Sequence, residues 1–391
     1  MLEKQLQKMD LDLATCLFTG LSTECLQDKR LIWEDGHFTT ATPKIFAKEV
    51  IRFVRRKELR SISNPFEISD EYFVHAFQLN KFLFQDLILV LCLRTYYRPE
   101  ADTNTIPLDL RVLATLTYLA HGHFGALNDL EAFRLCQVSI LQRCVPQVCQ
   151  TIVHFMATDY IVFPSNNDVT SSIKLGFNSQ FGIPNVVGIL DCFHVRLSKV
   201  DPSHNRSFRC RHGNLAINVQ VICDHTMRFL DVNPRAPGGA SDISVWKRSH
   251  IHGIVKNLFK TEPAWLIADR GYNLEDIVIN PYRCPNSISE LRLNAVLERM
   301  LGVLDTAVVM LTSRFRCLKT ILPYNHQAAA NIVTACATLH NYLLSKDCDI
   351  DERRMSIVPM RKPLPNAIFE DKWSAGYKNR EYVKACCFGD N

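Results

Sequence analysis

The sequence predicts a mixed α/β protein in which an all-helical region leads into a sheet-containing domain. Three observations carry that reading. Between about 70 and 160 the periodic segments repeat their apolar residues at helical spacing. After residue 185, short β-branched runs alternate with turns: Val186–Leu197, Ala216–Cys223, Arg228–Val232 and Trp265–Ala268. Helical periodicity then returns from Ser287 and runs, with breaks, to about Leu344. Strands, a helix, a strand and more helix describe an α/β domain and exclude a plain bundle. The expected partition is an N-terminal extension (1–69), a helical, helix-turn-helix-like domain (70–160), a linker (161–184), the α/β domain (185–345) and a charged C-terminal tail (346–391).

The 391 residues are 47% hydrophobic and 22% charged, which is enough apolar material for a sizeable core. A net charge of +5 suits a polyanionic partner without requiring one, so local clusters matter more than the sum. The 15 cysteines include no CxxC pair, and Cys386 and Cys387 are adjacent near the C-terminus. That pattern is expected of reduced, buried thiols in cytosol or nucleus. MLEKQLQKMD is charged and helix-like, unlike a signal peptide. The longest clean apolar run, Leu87–Leu93, is too short to span a bilayer, so no membrane association is expected.

Taken in order, IRFVRRKELR (51–60) is a basic amphipathic piece, either a solvated helix face or a contact for phosphate. Ser69 and Asp70 mark a helix start before the periodic Glu71–Phe84. Leu83–Leu93 has a dense apolar face, and Leu108–Leu119 follows Pro107. Beyond Gly122 and Gly125 come two short helices, Ala126–Leu135 and Ser139–Ile152, with Ser139 as the expected N-cap. A short helix, a tight connection and a second helix exposing Gln142 and Arg143 fit a helix-turn-helix reader of DNA, but also a plain bundle. Pro146 argues for a kink or restart in the second helix. The stretch Asp159–Pro184 is rich in Asn, Ser, Gly and Pro and reads as linker. In the α/β domain, His225-Thr226-Met227 is the expected hairpin turn, Pro234–Gly239 a loop and Ile243–His250 a helix.

Lone acids mark the apolar elements of that domain. Asp191 closes VVGILD, Asp269 closes AWLIAD before an Arg-Gly-Tyr turn, and Asp305 sits within MLGVLDTAVVML. Each has an ordinary alternative: a turn residue, an Asx turn before Gly271, and a helix acid facing solvent. Gathering carboxylates without a cation is unfavourable, since two charges 5 Å apart repel by about 3 kcal/mol at an effective dielectric of 20. Mg²⁺ or Mn²⁺, which favour oxygen ligands, would remove that cost.

At these residues the chain resembles the PIF/Harbinger transposases and the vertebrate nuclease derived from them. The resemblance spans roughly Asp70–Leu344 and rests on GILDCFHV (188–195), GGASDISVW (238–246), IADRGY (267–272), SRFRCLKT (313–320) and TACATLHNYL (334–343). It implies a ribonuclease-H-like fold over 185–345 with a DDE-type site for divalent metal. Asp191 would be the first acid and Asp269 the acid before the turn, with Asp242 a further metal-side carboxylate or a helix N-cap. The family pattern has Glu eight residues before the Ser of SRFRCL; here that residue is Asp305, one methylene shorter. Asn294 falls where the family has an upstream Asn, whereas the family's basic residue or His one turn before the Glu is Leu301 here. Glu298, two turns before Asp305 and about 10 Å away along the axis, is a possible substitute.

His194 is expected to pack away from Asp191, and Cys192 has no partner at metal-ligand spacing. Arg196, Lys199, Arg206, Arg209 and Arg211 follow the first strand, and together with Arg314, Arg316 and Lys319 they are candidates for contacts with DNA phosphates. The expected function is metal-dependent hydrolysis of DNA phosphodiesters by a nucleus-acting transposase-derived nuclease, with cytoplasm as a second location. The resemblance implies a Myb/SANT-like accessory protein as partner. The rival reading is a domesticated scaffold that binds DNA or chromatin without cutting it.

Overall fold

Val186–Arg196 (β1) is the strand around which the domain is built. Its Val- and Ile-rich half is fully buried, as a strand covered on both faces requires. Ala216–Cys223 (β2) and Phe229–Pro237 (β3) continue the sheet antiparallel on one side of it. Trp265–Ala268 (β4) and Val278–Ile279 (β5) extend it parallel on the other. The order β3-β2-β1-β4-β5 makes one five-stranded mixed sheet. The computed structural model describes residues 64–95, 108–127, 133, 138–164, 167–260, 262–346 and 374–389. The basic run 51–60 and most of the expected helix Ala126–Leu135 lie outside them.

Before the sheet come helices Asp70–Phe77 (α1), Lys81–Thr95 (α2), Leu108–His121 (α3), Val138–Tyr160 (α4) and Asn167–Phe181 (α5). Ser69 caps α1, its side chain accepting from the Tyr72 N–H, as expected. The expected Glu71–Phe84 helix divides at Gln78, whose left-handed φ of 64° closes α1, and Asn80 then accepts from Leu83 N–H at 2.8 Å to start α2. The expected short second helix of a helix-turn-helix is instead a 23-residue helix that passes through Pro146. Ser139 lies inside it and is not its cap. Leu141, Val145, Val148, Ile152 and Met156 bury one face of α4 against the core, and that packing outweighs the cost of the proline.

Two stretches expected to be irregular are helical. Most of the linker is α5, where Ile173 and Phe177, four apart, sink into the core while Asn and Ser residues lie on the outer face. Part of the expected tail is helix α10, Ala375–Phe388. β3 also runs through the expected Pro234–Gly239 loop as far as Pro237; being the outermost strand, it tolerates proline on its free edge.

Helices Asp242–Arg248 (α6), His250–Leu258 (α7), Ile288–Arg314 (α8), His326–Leu344 (α9) and α10 complete the fold. Ser287 caps α8 through Glu290 N–H. Asn341 of α9 pins the start of β3, its Oδ1 accepting from Phe229 N–H at 2.9 Å and its Nδ2 donating to Phe229 O and Tyr160 O at 2.7 Å each. His340 beside it bonds Met227 O, and burial drives its pKa down to about 3. One hydrophobic core runs from Phe73 of α1 to Val383 of α10. Among the described residues, no helix is long and apolar enough to cross a membrane.

Candidate active site

The parallel pairing of β1 and β4 places two of the acids. Gly188, Ile189 and Leu190 lie opposite Leu266, Ile267 and Ala268. The residues that follow these are Asp191, within β1, and Asp269, the first residue after β4. β4 ends there, and Asp269 begins the turn that leaves the sheet. Its Oδ1 accepts from Gly271 N–H at 2.7 Å and its carbonyl from Tyr272 N–H at 3.2 Å. A Cβ at position 271 would stand 2.8 Å from that Oδ1, so the turn wraps the carboxylate closely only because residue 271 is glycine. Asp191 accepts from its neighbour's N–H, Cys192, at 2.7 Å. Both carboxylates are half-buried. Asp269 thus makes the Asx turn raised as its ordinary reading, and that turn fixes it at the end of β4.

Helix α8 crosses the sheet against β4, β1 and β2 and carries acids on both sides of β1. At the β4 side, Glu298 Oε1 lies 3.2 Å from Nη2 of Arg270, the residue after Asp269. Toward β2, Asp305 lies near Cys223, whose thiol is pushed well up by burial and further by Asp224 and Asp305. Cys223 pairs with Ile189, so it shares the face of Asp191. The 7-residue step from 298 to 305 spans about 10 Å of helix, close to the width of two strand spacings. Leu301, between them, is buried.

The oxygen chemistry of Asp191 and Asp269 fits a hard divalent cation, which takes carboxylate and water ligands. Among the described residues, no group of three or more His, Cys, Asp and Glu stands together as a cluster able to hold a metal ion. The structure thus follows the last β1–β4 pair with two acids, Asp191 and Asp269, and carries Glu298 and Asp305 on α8.

Asp242 lies on the opposite face. Asn218 pairs with His194 across β1 and β2, which puts both on the side of Cys192 and away from Asp191. Asn218 Nδ2 donates to Asp242 Oδ1 at 2.8 Å and to Ala240 O at 3.1 Å. Asp242 is the first residue of α6, whose cap is Ser241. The cap expected of Asp242 is its neighbour Ser241, while its charge, together with that of Asp191, acts on the Tyr272 hydroxyl. His194 bonds Gly238 O at 3.0 Å, pointing away from Asp191 as expected. Gly238 and Gly239 lie against backbone, where a Cβ would meet Ala216 O or Ser207 O at 2.6 Å. Tyr272 Oη donates to Cys192 Sγ at 3.3 Å. Burial, with Asp242 adding to it, holds the Cys192 thiol well above its usual range, so it remains protonated. Asn218, Tyr272 and Arg270 escaped the sequence reading; an Asn in the apolar strand AINVQVIC was the one signal available.

Most of the basic candidates are on the surface. Arg196, Lys199, Arg206, Arg209, Arg211, Arg316 and Lys319 are exposed. Arg196 reaches Lys319 O at 2.6 Å, and Arg209 reaches Gly213 O at 2.7 Å. Partial burial, then Arg316, lowers the Lys319 pKa. Arg314 is a correction: at 2% exposure it belongs to the interior at the end of α8 and cannot meet DNA.

Residues 190–341 match the family described as DDE superfamily endonuclease. The mouse protein named "Putative nuclease HARBI1" is 28% identical over 290 residues, covering 73% of this chain and 80% of that one. Its human counterpart is 27% identical over 300 residues, 76% and 84% of the two chains. "Protein ALP1-like" of Arabidopsis thaliana is 26% identical over 278 residues, 66% of each. No solved structure matches the chain.

Proposed function

We infer, from a chain that carries a DDE superfamily endonuclease domain and is homologous to Harbinger transposase-derived nucleases, that this protein is a transposase-derived nuclease hydrolysing DNA phosphodiesters. The observation that carries the reading is the parallel pairing of β1 and β4 up to Leu190 and Ala268, each followed by an aspartate, Asp191 and Asp269, inside the matched segment. The strand order β3-β2-β1-β4-β5, antiparallel on one side of β1 and parallel on the other, supports a ribonuclease-H-like fold for the domain.

Asp191 and Asp269, completed by Asp305 from α8, would hold Mg²⁺ or Mn²⁺. Such ions, when bound, activate a water and stabilise charge on the phosphate. The chain's own part is to fix those carboxylates on rigid elements and to orient DNA. Arg196, Lys199, Arg206, Arg209, Arg211, Arg316 and Lys319 would hold the backbone by phosphate contacts, which give affinity and register without sequence readout. Sequence recognition would come from a Myb/SANT-like partner, and the site of action would be the nucleus.

One observation favours a second reading. Asp305 replaces the longer acid of the family pattern, and no three-membered cluster stands preformed among the described residues. A scaffold that binds DNA or chromatin without cutting fits that arrangement. Nicking of supercoiled plasmid with Mn²⁺ or Mg²⁺, by wild type and by Asp191→Ala, separates the two. Cleavage by wild type alone supports the nuclease; no metal-dependent cleavage with transposon-end DNA and partner present supports the scaffold.

A further inference from the structure

Three histidines that the candidate site leaves unused gather where the first helices meet the α/β domain. His75 and His121 stand in the last turns of α1 and α3, and His123 follows just beyond α3. The His121 ring lies 5.8 Å from that of His75 and 6.0 Å from that of His123, centroid to centroid. The end of α3 packs on the 3₁₀ turn Arg316–Lys319, so closely that a Cβ on Gly122 would stand 2.8 Å from Thr320 Cγ2. Arg316 and Lys319 are exposed, and the Lys319 carbonyl accepts from Arg196 at 2.6 Å. The histidines thus continue the basic surface of the α/β domain onto the helices.

Each ring has its own state. His123 is exposed, and its Nδ1 accepts from Gly125 N–H at 3.0 Å, which puts its proton on Nε2 as a free-standing donor. His121 is half-buried; burial lowers its pKa, the Ala76 backbone opposes that, and His75, His123 and Arg316 lower it further, so it stays neutral. His75 is exposed, with the Tyr72 ring 6.4 Å away and Glu71 one turn before it on α1. Asp70, the other carboxylate at the start of α1, is paired with Lys81 at 2.8 Å. Among the described residues no ion pair engages His75, His123 or Arg316. Two exposed donors and a guanidinium beside one another, with no carboxylate bound to them, suit an anion.

We propose that Arg316, His123 and His75 form a phosphate-binding site that carries the DNA backbone across this seam, tightened when His75 takes up a proton. The proposal rests on the DNA-binding reading of the basic surface. Histidine changes charge between about pH 5 and 8, so binding strengthens as pH falls through that range.

The test is fluorescence anisotropy of a labelled duplex with full-length protein in EDTA, over a series of salt concentrations at about pH 8 and about pH 6. Wild type is expected to bind several-fold more tightly at the lower pH, with a slope of log affinity against log salt steeper by about 1, the mark of one added phosphate contact. His75→Gln is expected to lose that change of slope, and His75→Arg to show the steeper slope at both pH values. His123→Ala is expected to weaken binding several-fold at both. A His75→Gln protein that keeps the wild-type change of slope would overturn the proposal and move the effect to His204 and His212 of the basic loop. A wild-type slope that is the same at both pH values, or a His123→Ala protein that binds as wild type does, would overturn it too. Absence of duplex binding by wild type at either pH would instead overturn the DNA-binding reading itself.

Discussion

A single methylene separates Asp305 from the acid of the family pattern, and α8 places it toward β2. If Asp305 completes the site, Asp305→Glu restores the missing reach. Its expected outcome is a higher Mn²⁺-dependent nicking rate than wild type, by several-fold. Asp191→Asn, which keeps shape and removes charge, is expected to lower that rate by at least about 100-fold, since the carboxylate is central to charge stabilisation in the site. Its thermal midpoint should not fall, because it relieves repulsion from Asp269. Away from the site, Asp231 on β3 is pushed by burial to a pKa of about 6, against smaller opposing effects of Gln220 and His250. A folded pKa above the unfolded value means that the folded state holds the proton more tightly. Stability from this group is present at low pH and is lost as pH rises from about 4 to 6. Asp231→Asn is therefore expected to be more stable than wild type at pH 7 by about 1–3 kcal/mol, and to lose that advantage near pH 4, by urea unfolding across that range.

Elements hold these residues where they matter. β1 gives Asp191 one face and Cys192, His194 and, through Asn218, Asp242 the other, so period-two geometry sorts the acids more firmly than spacing along the chain. The segments SRFRCL and TLHN, which carry much of the family resemblance, are largely interior: Arg314, Phe315, Cys317, His340 and Asn341 are all buried. Asn341 joins the end of α4, the start of β3 and α9 through three hydrogen bonds. Asn341→Leu strands the Phe229 N–H and C=O in the interior. It is expected to destabilise the protein by about 3 kcal/mol in urea unfolding, since each unmet buried group costs 1–3 kcal/mol. DNA binding by folded protein should persist, because this joint is remote in role from the basic surface.

At the scale of the whole molecule, the chain closes on itself through α10. Arg380 is completely buried, with its guanidinium 3.8 Å over the Tyr282 ring and Nη1 3.3 Å from both Asn280 oxygens. Tyr282 Oη donates to Glu381 at 2.5 Å, Lys384 lies 3.7 Å from Glu290 of α8, and Gly376 fits closely against the Glu275 backbone. A helix near the C-terminus thus ties the β5 edge to the start of α8, the helix that carries Glu298 and Asp305. Ending the chain at residue 346 is expected to lower the urea midpoint and to loosen α8. Hydrogen exchange should then be faster at Ser289–Asn294 while the β1–β2 ladder stays protected.

How much of this was legible without coordinates follows from the range of each interaction. Ala216–Cys223 and Trp265–Ala268 are strands as predicted, because β-branched runs between turns report on the backbone locally. The Ser69 cap and the placement of Asp191 and Asp269 at the sheet were open to reading for the same reason. α5 and α10 were missed because their few buried side chains mean nothing until the surfaces they cover exist; Arg380 looks solvated until Tyr282 is placed beneath it. β5, two residues long, carries too little pattern to detect. The sequence by itself determined the α/β class and the central strand, since these depend on composition and short-range periodicity. Only the tertiary structure decided that Asp242 is held by Asn218, that Arg314 is interior, and that Glu298 is bound to Arg270. Those facts rest on contacts between residues distant in sequence, and strand register, not chain spacing, sets them.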